Sequence, residues 1–302
     1  EDAEKILIPG AWNAQNEKLL FYRGPVWLFK KFNHSSKQNV LTHLYIEGSN
    51  FTTKVFVNGS VVGEFDGGYV PFNFDISQFL NDGENILLVQ TDNTLNKSTV
   101  PTHKTDWWPW GGIVGDVYLV ETPNNYIRNV YLQLNPDDFS QAVFKLQMAT
   151  KSSRQKVILE IPELNYKEEF GTDSSGLIQE NIIITPELWS PSNPKLYKVI
   201  ISSQNESISD EIGFRSIKTK GQKIYLNNNE IKFKGIAMHS EPIGAPGPAF
   251  SKEHFEKLLA TAADLNINFI RAAHYPYTRH LAKVADQIGL MVWEEIPVYW
   301  NI

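Results

Sequence analysis

The stretch from Asn268 to Pro297, NFIRAAHYPYTRHLAKVADQIGLMVWEEIP, changes its periodicity twice. Asn268–Ala272 is a short apolar run that reads as a strand. Leu281, Val284, Ala285 and Ile288 then fall on one helical face, and Gly289 stands at the C′ position where such a helix stops. Leu290–Trp293 reads as a second strand. Upstream, Ile231–Ala237 is strand-like. A further helix follows it, with Ser251 as N-cap, Glu253 in the first turn, and Phe255, Leu258, Leu259, Ala262 and Leu265 on one face. Strand–helix–strand–helix–strand predicts a parallel sheet. Three parallel strands and two helices cannot cover both faces of such a sheet. Residues 220–302 are therefore expected to be the opening of a β/α barrel or doubly wound domain that the 302 residues do not finish.

Everything before this stretch reads as β. In residues 1–121 the runs Val26–Phe32, Val40–Ile46, Lys54–Val57, Tyr69–Phe74, Asn85–Gln90 and Asp116–Val120 are separated by turn signals such as Asn58-Gly59 and Asp66-Gly67-Gly68. Short strands at this spacing predict a sandwich or jelly roll. Thr122-Pro123-Asn124-Asn125 reads as a linker. Residues 122–219 continue with Ile127–Leu134, Ala142–Ala149, Gln155–Ile161, Asn181–Thr185, Tyr197–Ser202 and Asp210–Ser216, the size of an immunoglobulin-like sandwich.

Composition narrows the function classes. Apolar residues make up 42% and charged residues 21%, as in a globular protein. A net charge of −6 argues against a nucleic-acid partner, which needs a basic surface. No apolar run approaches the ~20 residues of a membrane helix, so no membrane insertion is expected. Cysteine is absent, which excludes disulfides and thiolate metal sites. The chain opens on Glu1 without a basic-then-apolar leader, as a processed N-terminus would.

Polar residues gather where each barrel strand would end: Met238-His239-Ser240-Glu241, Arg271-Ala272-Ala273-His274 and Glu294-Glu295. Active sites of β/α barrels sit at these C-terminal strand ends. Neutral His and Arg can hydrogen-bond sugar hydroxyls or a carboxylate there. His239 or His274 alone could be a core histidine; both at equivalent strand ends point to a site. Arg271 is either part of that site or a partner of Glu294 or Glu295. Adjacent strand residues point to opposite faces, so Glu294 and Glu295 cannot jointly flank one bond. No His-x-x-x-His spacing supports a metal. His34, His43, His254 and His280 are expected at the surface without a role. In the first domain, Thr105-Asp106-Trp107-Trp108-Pro109-Trp110-Gly111-Gly112 reads as a rigid loop. Its Asp106 is placed for hydroxyl binding and its tryptophans mainly for packing.

These residues resemble glycoside hydrolase family 2 nearly end to end. The resemblance rests on Tyr22-Arg23-Gly24-Pro25-Val26-Trp27, on Val57-Asn58-Gly59 with Gly67-Gly68-Tyr69-Val70-Pro71-Phe72, and on Thr105-Asp106-Trp107-Trp108 with Gly111-Gly112-Ile113. It continues through Leu188-Trp189-Ser190-Pro191, Gly213-Phe214-Arg215-Ser216, Tyr225-Leu226-Asn227, His239, His274-Tyr275-Pro276 and Glu295-Ile296-Pro297. It implies a multidomain fold: an all-β jelly roll, then an immunoglobulin-like β-sandwich, then the first β/α units of a TIM barrel. It implies a retaining exo-β-glycosidase acting on a terminal β-linked galactose or glucuronic acid of an oligosaccharide or other glycoside. Asp106, His239 and His274 would contact the sugar, with Arg271 beside them as a brace. The family's acid/base and nucleophile glutamates belong to later barrel strands, so no residue here takes those roles and the 302 residues alone are expected to be inactive. Two departures stand out. Val298-Tyr299-Trp300 replaces the Glu and His that bind a metal in some members, so neither metal nor cofactor is expected, and Ser240 stands where many members carry Glu. Export and self-association are expected by the same resemblance. The rival readings are a non-catalytic carbohydrate-binding protein and a structural pair of sandwiches.

Overall fold

A computed structural model describes residues 3–242 and 247–298. The chain divides into two compact units, one of residues 1–121, 235–285 and 292–302, the other of residues 122–234 and 286–291.

The first unit opens on a short helix, α1 (Trp12–Gln15), and then builds its β part from β1 (Pro25–His34), β2 (Val40–Ile46), β3 (Ser49–Asn50), β4 (Thr52–Val57), β5 (Ser60–Asp66), β6 (Phe72–Asp75), β7 (Gly83–Asp92), β8 (Gly112–Ile113) and β9 (Val117–Pro123). One sheet runs β1-β7-β4-β5, a second β6-β2-β9, and β3 pairs with β8. Burial alternates along β2 and β4, as period-two side chains require. Leu44 and Ile46 of β2 therefore meet Val55 and Val57 of β4 and Val89 of β7 in one core. The Asn58-Gly59 turn does join two strands, β4 and β5. β5 was not legible because Gly63 interrupts its apolar alternation. β9 runs through Thr122 and Pro123, into the expected linker.

The second unit is a sandwich of β10 (Ile127–Leu134), β11 (Gln141–Met148) and β14 (Leu177–Ile183) against β12 (Lys156–Ile161), β13 (Tyr166–Gly171), β15 (Tyr197–Ser203) and β16 (Ser207–Ile212). Phe144, Leu146, Val157, Leu159, Ile178, Val199 and Phe214 form its core. The meander β17 (Ile217–Lys220), β18 (Lys223–Leu226) and β19 (Asn229–Ile231) follows.

The last elements are β20 (Gly235–Met238), α2 (Lys252–Asp264), β21 (Phe269–Ala272), α3 (Arg279–Ile288) and β22 (Met291–Glu294), with sheet order β20-β21-β22. β20 and β21 pair in parallel, Gly235 opposite Phe269 and Met238 opposite Ala272. The expected strand Ile231–Ala237 is in fact two: Ile231 closes β19, and β20 starts only at Gly235. The helical faces are shorter than their apolar patterns. Phe255, Leu259 and Ala262 are buried, as are Leu281, Val284 and Ala285, but Leu265 and Ile288 are exposed. Leu265 lies past the end of α2, and Ile288 is the last residue of α3, so neither has a full turn to hold it inward. Gly289 follows with φ of +80°, the left-handed C′ conformation.

Candidate functional site

Asp106 sits on the long loop between β7 and β8, inside the first unit. Three buried asparagines fix the far end of that loop by its backbone. Asn93 donates to the Pro109 carbonyl at 3.0 Å and Asn50 to the Trp110 carbonyl at 2.9 Å. Asn13 accepts from the Gly111 amide at 2.7 Å. Asn13, Asn50 and Asn93 are all at most 3% exposed. Gly111 is required by close approach: a Cβ there would lie 2.1 Å from the Trp12 ring. No sequence pattern marked these asparagines, since their partners are main-chain groups far along the chain.

The parallel sheet delivers the other residues. His239 directly follows β20, Arg271 lies in β21, His274 comes two residues after β21, and Glu295 directly follows β22. The Ala273 amide donates to the Met238 carbonyl at 3.0 Å, and the Tyr277 hydroxyl to the same carbonyl at 2.6 Å. These bonds hold the two strand ends together beyond the ladder.

All four sequence-predicted residues meet in one place. A carboxylate oxygen of Asp106 and one ring nitrogen each of His239 and His274 lie within 4.8 Å of one another. The His239 and His274 rings pack edge to face at 5.4 Å. His274 Nε2 stands 3.6 Å from Asp106 Oδ1, beyond direct hydrogen-bond range. Its Nδ1 is 3.1 Å from Glu295 Oε2. Arg271 donates through Nε to Glu295 Oε1 at 2.5 Å and through Nη2 to Oε2 at 3.1 Å, a bidentate pair. Arg271 is thus the partner of Glu295. Arg271 Nη2 also lies 3.3 Å from His274 Nδ1. The carboxylate assigns the proton to Nδ1, because a guanidinium and a protonated Nδ1 are both donors and only Glu295 accepts.

The electrostatics follow. Hydrogen bonds from Arg271, then from His274, hold the Glu295 carboxyl below the usual glutamate range despite partial burial. Asp106 keeps its side chain 51% exposed, against 12% for His274. Trp107 stacks on His274 with centroids 5.6 Å apart, so this tryptophan orients a site residue as well as packing. Tyr69 stacks on Tyr275 at 4.0 Å. Burial pushes the Tyr275 hydroxyl up to about 12 and Tyr69 well above its usual value, so both stay neutral. Trp110 donates to Glu241 at 2.9 Å. Sequence reasoning gave Glu241 and Tyr275 no role; their only signal was adjacency to His239 and His274.

One expectation needs correction. His280 is not a roleless surface residue: its side chain is only 20% exposed and its Nε2 lies 3.3 Å from Asp116 Oδ2. Of the expected departure after β22, Val298 is exposed, while Tyr299 and Trp300 lie outside the described residues.

The arrangement offers a carboxylate, two imidazoles and an aromatic wall at the C-terminal ends of parallel strands. Such a set accepts and donates hydrogen bonds to neutral hydroxyls. Three family models match the chain in succession. They are "Glycosyl hydrolases family 2, sugar binding domain" over residues 18–123, "Glycosyl hydrolases family 2" over 125–215, and "Glycosyl hydrolases family 2, TIM barrel domain" over 217–299. A beta-galactosidase of Thermoanaerobacter pseudethanolicus is 28% identical over 93% of this chain and 40% of its own length. A solved beta-D-glucuronidase from Dictyoglomus thermophilum superposes with a TM-score of 0.82 at 26% identity, over all of this chain and 57% of that one. Beta-glucuronidase of Bifidobacterium dentium, solved with coumarin-3-O-glucuronide, superposes with a TM-score of 0.86 at 21% identity, over 96% of this chain and 56% of that one. The chain spans about two fifths of the length of some curated relatives it matches and about a quarter of others.

Proposed function

Because the chain belongs to glycosyl hydrolase family 2, we propose that it is the sugar-recognising part of a retaining exo-β-glycosidase that removes a terminal β-linked galactose. The convergence of Asp106, His239 and His274 within 4.8 Å carries this reading. A terminal sugar ring presents vicinal hydroxyls, and a carboxylate flanked by two imidazoles matches them as acceptor and donors. Trp107 packs against His274 and Tyr275 beside them, and aromatic side chains next to a few placed polar groups are what small-ligand sites favour. Asp106, His239, His274 and Arg271 are the residues proposed for this subsite, the first three by contact and Arg271 as a brace.

Two observations favour galactose over glucuronic acid. The Arg271 cation is committed to Glu295, and the carboxylate of Asp106 would repel a glucuronate. Cleavage itself is assigned to two glutamates of the remaining barrel, about 5 Å apart, one forming a glycosyl-enzyme bond and the other serving as acid and then base. The test is hydrolysis of 4-nitrophenyl β-galactoside and β-glucuronide by the protein carrying the complete barrel. Faster turnover of the galactoside is expected, and faster turnover of the glucuronide would move the assignment to that sugar. Turnover of neither would remove the glycosidase reading.

A further inference from the structure

A second cluster lies on the first unit and shares no residue with Asp106 and the strand-end histidines. Glu47 follows β2, Asp116 precedes β9, and His280 lies in the first turn of α3. One donor atom of each lies within 4.8 Å of the other two. The Glu47 amide donates to the Asp116 carbonyl at 2.9 Å, which fixes the two acidic residues side by side. His280 Nε2 and Asp116 Oδ2 are 3.3 Å apart. That is the separation of two ligands on a tetrahedral ion with bonds near 2 Å. Tyr118 donates its hydroxyl to the same Asp116 oxygen at 2.5 Å, an outer partner that orients a ligand.

Glu47 supplies the second observation. Its side chain is only 3% exposed. Oε1 accepts from the Arg279 amide at 3.1 Å, but Oε2 is buried and has no hydrogen-bond partner. A buried carboxylate oxygen without a partner is costly unless a cation meets it. Arg279 is the cation nearest at hand, yet its Nε stays 3.8 Å from Glu47 and its Nη2 3.9 Å from Asp116, too far for hydrogen bonds. Its guanidinium lies over the Tyr118 ring at 5.3 Å and donates to the Tyr118 hydroxyl, and the side chain is 47% exposed. The two carboxylates outnumber the one arginine beside them. A cavity of about 20 Å³, which Glu47 lines together with Ser240, Tyr275 and Thr278, has room for one water beside Glu47, though neither Asp116 nor His280 lines it.

We propose that Glu47, Asp116 and His280 bind a divalent cation of intermediate hardness, Zn²⁺ or Mn²⁺. Two carboxylates favour the harder ions, and the imidazole excludes a pure Ca²⁺ or Mg²⁺ preference. Arg279 competes with the ion for the same charge and swings outward when it binds.

Calorimetric titration of the chelator-treated protein with ZnCl₂ and MnCl₂ tests this. Wild-type protein is expected to bind one ion that Asp116→Asn and His280→Ala each weaken by about a hundredfold or more. His274→Ala, in the other His-containing cluster, should leave that ion in place. Arg279→Ala is expected to tighten binding about tenfold, a sign that a merely structural ion pair does not give. Equal titrations for wild type and His280→Ala would overturn the proposal, as would weaker binding by Arg279→Ala. Crystals of unaltered protein soaked in MnCl₂ give a reading independent of any variant's folding. Anomalous density between Glu47, Asp116 and His280 is expected, and density only beside Asp106, or none, would count against the site.

Discussion

His274 holds its two ring nitrogens between two carboxylates, Glu295 at Nδ1 and Asp106 across Nε2. The near contact with Glu295 sets the tautomer, and the 3.6 Å separation from Asp106 lets a single hydroxyl lying to the side of the pair contact both groups. Substituting Asp106→Asn or His274→Ala in the complete enzyme should cut kcat/KM by about 10- to 150-fold, the worth of one charge-assisted hydrogen bond of ~1.5–3 kcal/mol. A loss under twofold in steady-state kinetics would remove them from the subsite. Glu295→Gln tests the brace. The Glu295 carboxyl is depressed by Arg271, so its contribution is complete above the ordinary glutamate value and fades as pH falls through the lowered folded value. Glu295→Gln should cost ~1–3 kcal/mol in urea unfolding at pH 7, and that difference should shrink toward pH 3. A pH-independent difference would mean the ion pair is not its source. His239, His274 and Asp106 were legible because each type is rare at a strand end or in a tryptophan loop without a reason. Glu295 was only half legible: the pleat excluded a joint catalytic role for Glu294 and Glu295 but did not say which of the two meets Arg271.

At the scale of elements, the loop from Asn93 to Gly111 has no ladder of its own. Its far end is fixed by the amides of Asn13, Asn50 and Asn93. Removing Asn50 or Asn93 as Ala strands a buried carbonyl and should cost ~1–3 kcal/mol by denaturant titration, with weaker sugar affinity in the folded fraction. Gly111→Ala should destabilise by ~1–3 kcal/mol through overpacking against Trp12, read from the same titration. Wild-type stability in either variant would mean the loop is held elsewhere. The strands with period-two burial, such as β2, β11 and the part of β10 beyond its irregularity at Ile127 and Asn129, were found in the sequence nearly to the residue. β5, with Gly63 inside it, and β13, exposed along most of its length, were missed because neither carries the apolar alternation that marks a half-buried strand. The buried helical faces were overread for a different reason: Leu265 and Ile288 fit the period, but periodicity ignores how far the last turn is covered.

At the scale of the whole molecule, the order of three β and β/α regions was readable because each imposes its own period on a long window. Which residues far apart in sequence belong to one compact unit was not, since no local signal carries it. The 302 residues alone are expected to release no nitrophenol from aryl β-glycosides while still answering galactose with a change in tryptophan emission, because Trp107 lies on His274. Turnover by the 302-residue chain would show that its own carboxylates are sufficient. The first compact unit is discontinuous, its two main parts separated by more than a hundred residues that belong to the other unit. During synthesis Asp106 leaves the ribosome long before His274. At ribosomal speeds of ~5–20 residues per second the intervening segment alone imposes a delay of roughly 6–20 s. Through that interval the face carrying Tyr69 and Trp107 has no Tyr275 or His274 to cover it. The nascent chain therefore passes through a stage with uncovered aromatic surface, when holdase chaperones or a slowed ribosome would decide how much of it reaches the folded state.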